Sequence, residues 1–159
     1  MTPPKPKSWL RPWVRGWAPQ VLILSHSAVG AFLTHCGWNS TIEGFCAGVP
    51  IITWPQFADQ FFNERVVVQV VGTGVAAGAQ KAIQVVEEDT FEIQVKREDV
   101  CKVAKIIMDE GREGEERRQK AKYFKEMAEE ATEEGGSSQL NLKLFIEDIM
   151  LQTNKGLAG

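Results

Sequence analysis

The stretch WAPQVLILSHSAVGAFLTHCGWNSTIEGFCAGVPIITWPQFADQ, Trp17 to Gln60, gathers polar side chains that a core does not need. His35 ends the apolar run VGAFLTH, and Gly37 lets the backbone turn tightly beside it. Asn39 and Ser40 then open a helical pattern, where unpaired backbone N–H groups and the helix dipole favour an anion. The Asn amide, the Ser hydroxyl and the His imidazole add donors, so a diphosphate would fit. The same residues also suit a plain helix cap and a satisfied core histidine. Glu43, one turn after Asn39, projects on the same side and can accept from vicinal hydroxyls such as those of a ribose, or simply be a surface charge. Trp17 precedes a Pro-containing loop; its face can stack on a flat base or pack on protein. Trp38 offers an indole N–H and an apolar face. Asp59 and Gln60 follow the second apolar run, and their acceptor and donor capacity suits sugar hydroxyls. Taken together, these groups describe a site for a phosphorylated, hydroxyl-rich ligand.

Other site types fit less well. GTGVAAG (72–78) is Gly-rich but follows a helix and lacks the Lys-Ser/Thr of a P-loop, so it reads as a turn and strand. No two aspartates stand at i, i+2 and no cluster has metal-ligand spacing, so no metal is expected. If His35 serves phosphate, only His26 is left, in an apolar stretch without a neighbouring acid, and no general base is evident. Asn39-Ser-Thr matches an N-glycosylation acceptor, but the N-terminus carries no apolar leader run, which makes the match incidental.

Composition bounds the class. The 159 residues are 43% hydrophobic and 25% charged, ordinary for a soluble globular domain. A net charge of −3 argues against nucleic-acid binding. Lys5, Lys7, Arg11 and Arg15 precede the first acid, Glu43, and read as a solvated basic start. Three cysteines without a CxxC pair suggest neither a disulfide framework nor zinc, and a reducing cytoplasm suits them. No stretch reaches the roughly 18 apolar residues of a membrane span.

The elements that must position the polar groups follow from periodicity. Residues 1–16 read as irregular. VLILSH (21–26) is expected as a short helix, VGAFLTH (29–35) as a buried strand, and 39–47 as a helix stopped by Gly48. VPIITWP (49–55) reads as a second strand, 57–71 as a helix stopped by Gly72 and Gly74, and 74–78 as a weak third strand. Residues 81–94 read as a loop with a possible edge hairpin. A helix opens at 96–98, with Val100, Val103, Ala104, Ile107 and Met108 on one face, and Gly111 and Gly114 break it. A charged helix from about Glu115 to Glu134 carries the stripe Ala121, Phe124, Ala128, Ala131. Ser137 or Ser138 caps a last helix, with Leu142, Phe145, Ile146, Ile149 and Met150 aligned, and 153–159 is a disordered tail. Alternating strands and helices with short links predict an α/β fold with a parallel sheet. Its three strands are fewer than a full doubly wound domain has, so the chain reads as part of a domain.

WAPQ (17–20), HCGWNS (35–40), Glu43, GVP (48–50) and Asp59–Gln60 together resemble, without a gap, the 44-residue signature of plant family-1 UDP-glycosyltransferases of secondary metabolism. FFNERVVVQVVGTGV and EEGGSSQLNLKLFIEDI resemble the C-terminal end of the same family, nearest the branch that glucosylates flavonoids, triterpenoids and cytokinins. The resemblance covers residues 15–152. It implies a partial Rossmann-like C-terminal domain of a GT-B glycosyltransferase, with residues 17–152 as the partial UDP-sugar-binding domain. By that resemblance Trp17 stacks on uracil, and Ala18 and Gln20 edge the base. Glu43 takes the ribose hydroxyls, and His35, Asn39 and Ser40, with Gly37 in their turn, hold the diphosphate. Trp38, Asp59 and Gln60 hold the sugar, with Gln60 pointing to UDP-glucose as donor substrate, and Ala58 faces a small hydrophobic acceptor. The implied chemistry is inverting O-glucosyl transfer without a metal or cofactor. The base, a His–Asp pair, and most of the acceptor pocket are expected in an N-terminal domain outside this chain, so that the chain alone is inactive. The other reading kept open is a non-catalytic UDP-binding or interaction fragment.

Overall fold

The two apolar runs that precede His35 and Trp54 do form neighbouring parallel strands. In the computed structural model, which describes residues 16–83 and 93–157, they are β1, Phe32–Thr34, and β2, Ile51–Thr53. β3, Gly74–Ala76, completes a three-stranded sheet in the order β1-β2-β3. All pairings are parallel, with Phe32 opposite Ile51 and Ile51 opposite Gly74. Each strand is shorter than the apolar run that predicted it.

Both faces of the sheet are covered at β2, which is why it is buried at every position. Ile52 faces one side and packs with Ala77, Ala79, Val95, Val103 and Ile107, the last two from α4, Arg97–Ile107. Ile51 and Thr53 face the other side. There they meet α2, Trp38–Ala47, and α3, Gln60–Arg65, with its continuation Val66–Val71. Gly44 permits the close approach of α2: a Cβ there would stand 2.9 Å from Ile51 Cδ1. A short helix, α1, Gln20–Leu24, lies against α2. α5, Arg112–Thr132, packs on the outer side of α2, with Phe45 and Phe124 ring centroids 6.1 Å apart.

Several boundaries differ from the sequence expectation. The helix predicted over 57–71 starts at Gln60 and widens into a π-helix over Val66–Val71. Five of those six residues are valine, and β-branched side chains crowd the preceding turn of an α-helix. Gly72 ends it in the left-handed conformation, φ +70°. Gly74 is no stop; it opens β3, where a Cβ would press on Val67 and the Ile51 carbonyl. Gly114 is no break either, since α5 already begins at Arg112 and Gly114 is buried inside it against the Asp109 carbonyl. The final helix, α6, runs Ser137–Leu157. Ser137 is therefore its first residue, and 153–157 are helical rather than a tail, because extending a formed helix costs little once it is nucleated. The irregular start over 1–15 and most of the loop over 81–94 lie outside the described residues.

α6 touches the rest of the chain mainly through α5 and leaves its apolar stripe, including Leu142, Phe145, Ile146, Ile149 and Met150, exposed. No helix among the described residues is long and apolar enough to cross a membrane.

Candidate functional site

Two loops leave the carboxyl ends of adjacent strands; the polar residues of the signature stretch sit on them, on the helices α2 and α3 that they lead into, and at the start of α1 beside α2. This is the rim where open α/β sheets bind ligands. The first loop, His35–Gly37, leads from β1 into α2. Gly37, not Asn39 or Ser40, occupies the cap position, and no side chain caps the helix. Trp38, Asn39 and Ser40 form the first turn, whose N–H groups take no acceptor among the described residues, as an anion site requires. The plain cap reading of Asn39 and Ser40 is thereby excluded. His35 is exposed rather than a core histidine. Its ring folds back over Gly37: a Cβ on that residue would lie 2.5 Å from His35 Nε2, so glycine is what admits the imidazole there. Cys36, between them, is fully buried and left-handed, φ +66°. Such a conformation in a residue with a side chain persists only where its surroundings impose it. Burial pushes the Cys36 thiol up to about 12, so it stays neutral and donates to the Thr34 carbonyl at 3.7 Å.

One turn along α2, three predicted residues meet. Gln20 Nε2 donates to Glu43 Oε2 at 2.7 Å and approaches Ser40 Oγ at 3.4 Å. The second Glu43 oxygen takes no partner among the described residues. Trp17, Ala18, Pro19, Gln20, Val21, Leu22 and Glu43 enclose a shallow cavity of about 220 Å³. Trp17 is 99% exposed, so among the described residues it packs on nothing and keeps both ring faces open. An indole beside a carboxylate across such a cavity can stack a planar base and accept from an attached hydroxyl pair.

The second loop follows β2. Ala58 is exposed and left-handed, φ +55°, and turns the chain into α3. Asp59 stands at the N-cap position of α3 without a side-chain capping bond and is exposed, with Oδ2 accepting from Asn63 Nδ2 at 2.7 Å and Oδ1 unpaired among the described residues. Gln60 differs from the sequence expectation. It is 5% exposed, and its Oε1 accepts from the backbone N–H of Gln56, 2.8 Å, and Phe57, 3.1 Å. Only its NH₂ group is left for a ligand, because an amide nitrogen cannot take over those two acceptor roles. Trp38 is half exposed at the head of α2.

His26 is exposed, and its Nδ1 accepts the Ala28 N–H at 3.2 Å, which closes a turn. Among the described residues no three His, Cys, Asp or Glu side chains are grouped to hold a metal. Two groups at the site escaped the sequence reading. Asn63 stands at i+4 from Asp59, a spacing that places both on one helix face. Glu64 accepts from Thr53 Oγ1 at 2.6 Å behind the β2 end, and burial holds its carboxyl above the usual range. Nothing local in sequence marks that pair.

Comparison with known proteins bears on the family and the fold. The family described as "UDP-glucoronosyl and UDP-glucosyl transferase" matches residues 11–86. Anthocyanidin 3-O-glucosyltransferase 4 of Manihot esculenta is 55% identical over 135 residues, covering 85% of this chain and 56% of that protein. The solved structure of Glycyrrhiza uralensis UGT73P12, complexed with glycyrrhetinic acid 3-O-monoglucuronide, superposes with a TM-score of 0.81 at 42% identity, over 91% of this chain and 30% of that one. That of Phytolacca americana UGT2, complexed with UDP-2fluoro-glucose and pterostilbene, gives 0.71 at 35% identity, over 85% of this chain and 28% of that one. The chain thus spans about half or less of the length of these relatives. With its Rossmann-like half-sheet, its open helix start and these matches, the chain belongs to the plant UDP-glycosyltransferase family of GT-B fold.

Proposed function

We propose that the chain is the donor-binding portion of a UDP-glucose-dependent glucosyltransferase acting on small hydrophobic plant metabolites of the flavonoid, triterpenoid or cytokinin type. The observation that carries this is the convergence of Gln20, Ser40 and Glu43 beside an exposed Trp17, next to the uncapped start of α2. In this reading Trp17 stacks on uracil, with Ala18 and Gln20 at its edge. Glu43 takes the ribose hydroxyls. The N–H groups of Trp38, Asn39 and Ser40, with His35, hold the diphosphate, and Asp59 and the Gln60 NH₂ group hold the sugar. Ala58 borders the acceptor. The acceptor oxygen bonds to the anomeric carbon as the bond from that carbon to the diphosphate oxygen breaks, with inversion. The acceptor proton goes to a base outside this chain. The negative charge that grows on departing UDP falls on the α2 start, where fixed N–H dipoles stabilise it. Relatives named for anthocyanidin glucosylation, or solved with UDP-2fluoro-glucose and pterostilbene, support the donor and acceptor classes. Three unpaired cysteines support a reducing cytoplasm.

A second reading, an interaction fragment without turnover, draws on the exposed apolar stripe of α6. Calorimetric titration of the folded chain with UDP, UDP-glucose and UDP-galactose separates the two. Saturable UDP binding with preference for the glucose donor supports the first. Self-association without nucleotide binding supports the second.

A further inference from the structure

Asn63 is 3% exposed, and both of its amide hydrogens are committed. One goes to the Cys36 carbonyl at 2.9 Å, the other to Asp59 Oδ2 at 2.7 Å. The bond to Asp59 is an ordinary i, i+4 helix pair. The bond to Cys36 is not: it reaches 27 residues back, to the loop that follows the neighbouring strand. One buried amide therefore ties together the two loops of the candidate site.

Resting on the donor-site reading above, we propose that Asn63 is a positioning residue. It sets the direction of the Cys36–Gly37 peptide and the orientation of the Asp59 carboxylate together, so that the diphosphate turn and the sugar-facing acid are held as one unit. Three observations carry this. First, Cys36 is left-handed without being glycine, so its turn needs outside restraint. The restraints present are the Cys36 N–H on Thr34 Oγ1, 3.3 Å, the Cys36 Sγ–H on the Thr34 carbonyl, 3.7 Å, and Asn63 on the Cys36 carbonyl; only the last reaches beyond the loop itself. Second, in a planar trans peptide the carbonyl and the following N–H point in opposite directions. Drawing the Cys36 carbonyl inward to Asn63 therefore turns the Gly37 N–H outward, on the side away from the buried amide, where it takes no acceptor among the described residues. That N–H joins those of the α2 first turn as an anion donor. Third, donation to Oδ2 leaves Asp59 with one oxygen free and a fixed rotamer, the condition for choosing among sugar hydroxyls. Without Asn63 the peptide is free to flip, which would present a carbonyl to the diphosphate in place of a donor.

The test uses the ¹⁵N-labelled chain and calorimetry, with uridine, UDP and UDP-glucose as probes, on wild type, Asn63→Ala, Asp59→Ala and the double variant. In the wild type the Gly37 amide resonance moves on adding UDP and not on adding uridine. In Asn63→Ala, loss of one well-aimed donor to a charged group weakens UDP about tenfold, while uridine affinity stays within roughly twofold. The Gly37 shift disappears. Asp59→Ala alters an exposed side chain and leaves the fold intact. It weakens UDP-glucose, and through Asn63 it also weakens UDP, about two- to threefold, although UDP carries no sugar for Asp59 to touch. That second effect vanishes in the double variant. Equal loss of uridine and UDP in Asn63→Ala, or a UDP affinity and Gly37 shift unchanged from wild type, overturns the proposal. If Asn63→Ala does not fold, Asp59→Ala decides alone, since UDP binding and a Gly37 resonance both indifferent to it remove the coupling. A folded wild type that responds to none of the three probes overturns the donor-site reading instead, and the role of Asn63 falls with it.

Discussion

Glu43→Ala tests the nucleoside end of the site most directly. The Glu43 carboxylate already accepts from Gln20 at 2.7 Å through Oε2 and keeps its other oxygen open to the cavity beneath Trp17. A hydrogen bond from a neutral group to a charged one is worth about 1.5–3 kcal/mol. The cavity is open to solvent, so the lower figure applies, about 1.5 kcal/mol for each ribose hydroxyl or roughly tenfold in affinity. The wild type is therefore expected to bind UDP about tenfold more tightly than 2′-deoxy-UDP. The Glu43→Ala variant is expected to bind both equally, and each about as weakly as, or more weakly than, the wild type binds the deoxy compound. By the same rule, loss of the part-exposed Gln20 contact costs about 1.5 kcal/mol of stability, a fall in Tm of a few degrees, so the variant stays folded. Isothermal titration with the two nucleotides and the two proteins completes the cycle. A wild type that does not discriminate between the nucleotides, or a variant that still does, would mean that Glu43 does not read the ribose.

Three further outcomes are expected. Trp17→Ala should weaken uridine and UDP by the same factor, equivalent to about 1–3 kcal/mol of base stacking. Because the ring is 99% exposed, a melting curve should show Tm unchanged to within about a degree. Gly44→Ala should destabilise the chain by about 1–3 kcal/mol in urea unfolding, since the new Cβ meets Ile51 Cδ1. Adding Ile51→Val, which removes that methyl, should recover part of the loss. Cys36 should resist alkylation at pH 8 while the exposed Cys46 and Cys101 react, read by intact mass. Its thiol is held above the ordinary value of 9.0, up to about 12, chiefly by burial. Folded chains thus keep that proton longer than unfolded ones. The contribution is present below pH 9 and is lost as pH rises towards 12, so urea midpoints should fall between pH 9 and 11 in the wild type and less in Cys36→Ser.

The alternation of strands and helices was legible because a strand covered on both faces must be a continuous apolar run, as PIIT is, and AFLT reads the same way although Leu33 stays exposed at the sheet border. Gly48 and Gly72 read correctly as stops because each takes a left-handed angle. Gly74 and Gly114 misled because glycine also marks close packing, here against Val67 and Asp109, and a one-dimensional text does not separate the two uses. Asp59 and Gln60 looked equivalent in sequence, yet one is exposed and the other has its amide oxygen tied to Gln56 and Phe57. Which end of an amide faces inward is decided by loop geometry alone. Asn63 carried a signal at i+4 from Asp59, but its second bond, to Cys36, depends on how two loops meet in space.

β1 lies at one border of the sheet as described, with Leu33 exposed on it and the outer rank of its backbone groups facing away from β2. Strand addition there is governed by direction. A strand that docks parallel to β1 finishes at the same rim as Thr34, so whatever residues follow it are delivered next to His35 and the start of α2. A strand that docks antiparallel delivers them to the opposite rim. The polarity of a segment seated on that border would thus decide whether its succeeding loop could reach the candidate site.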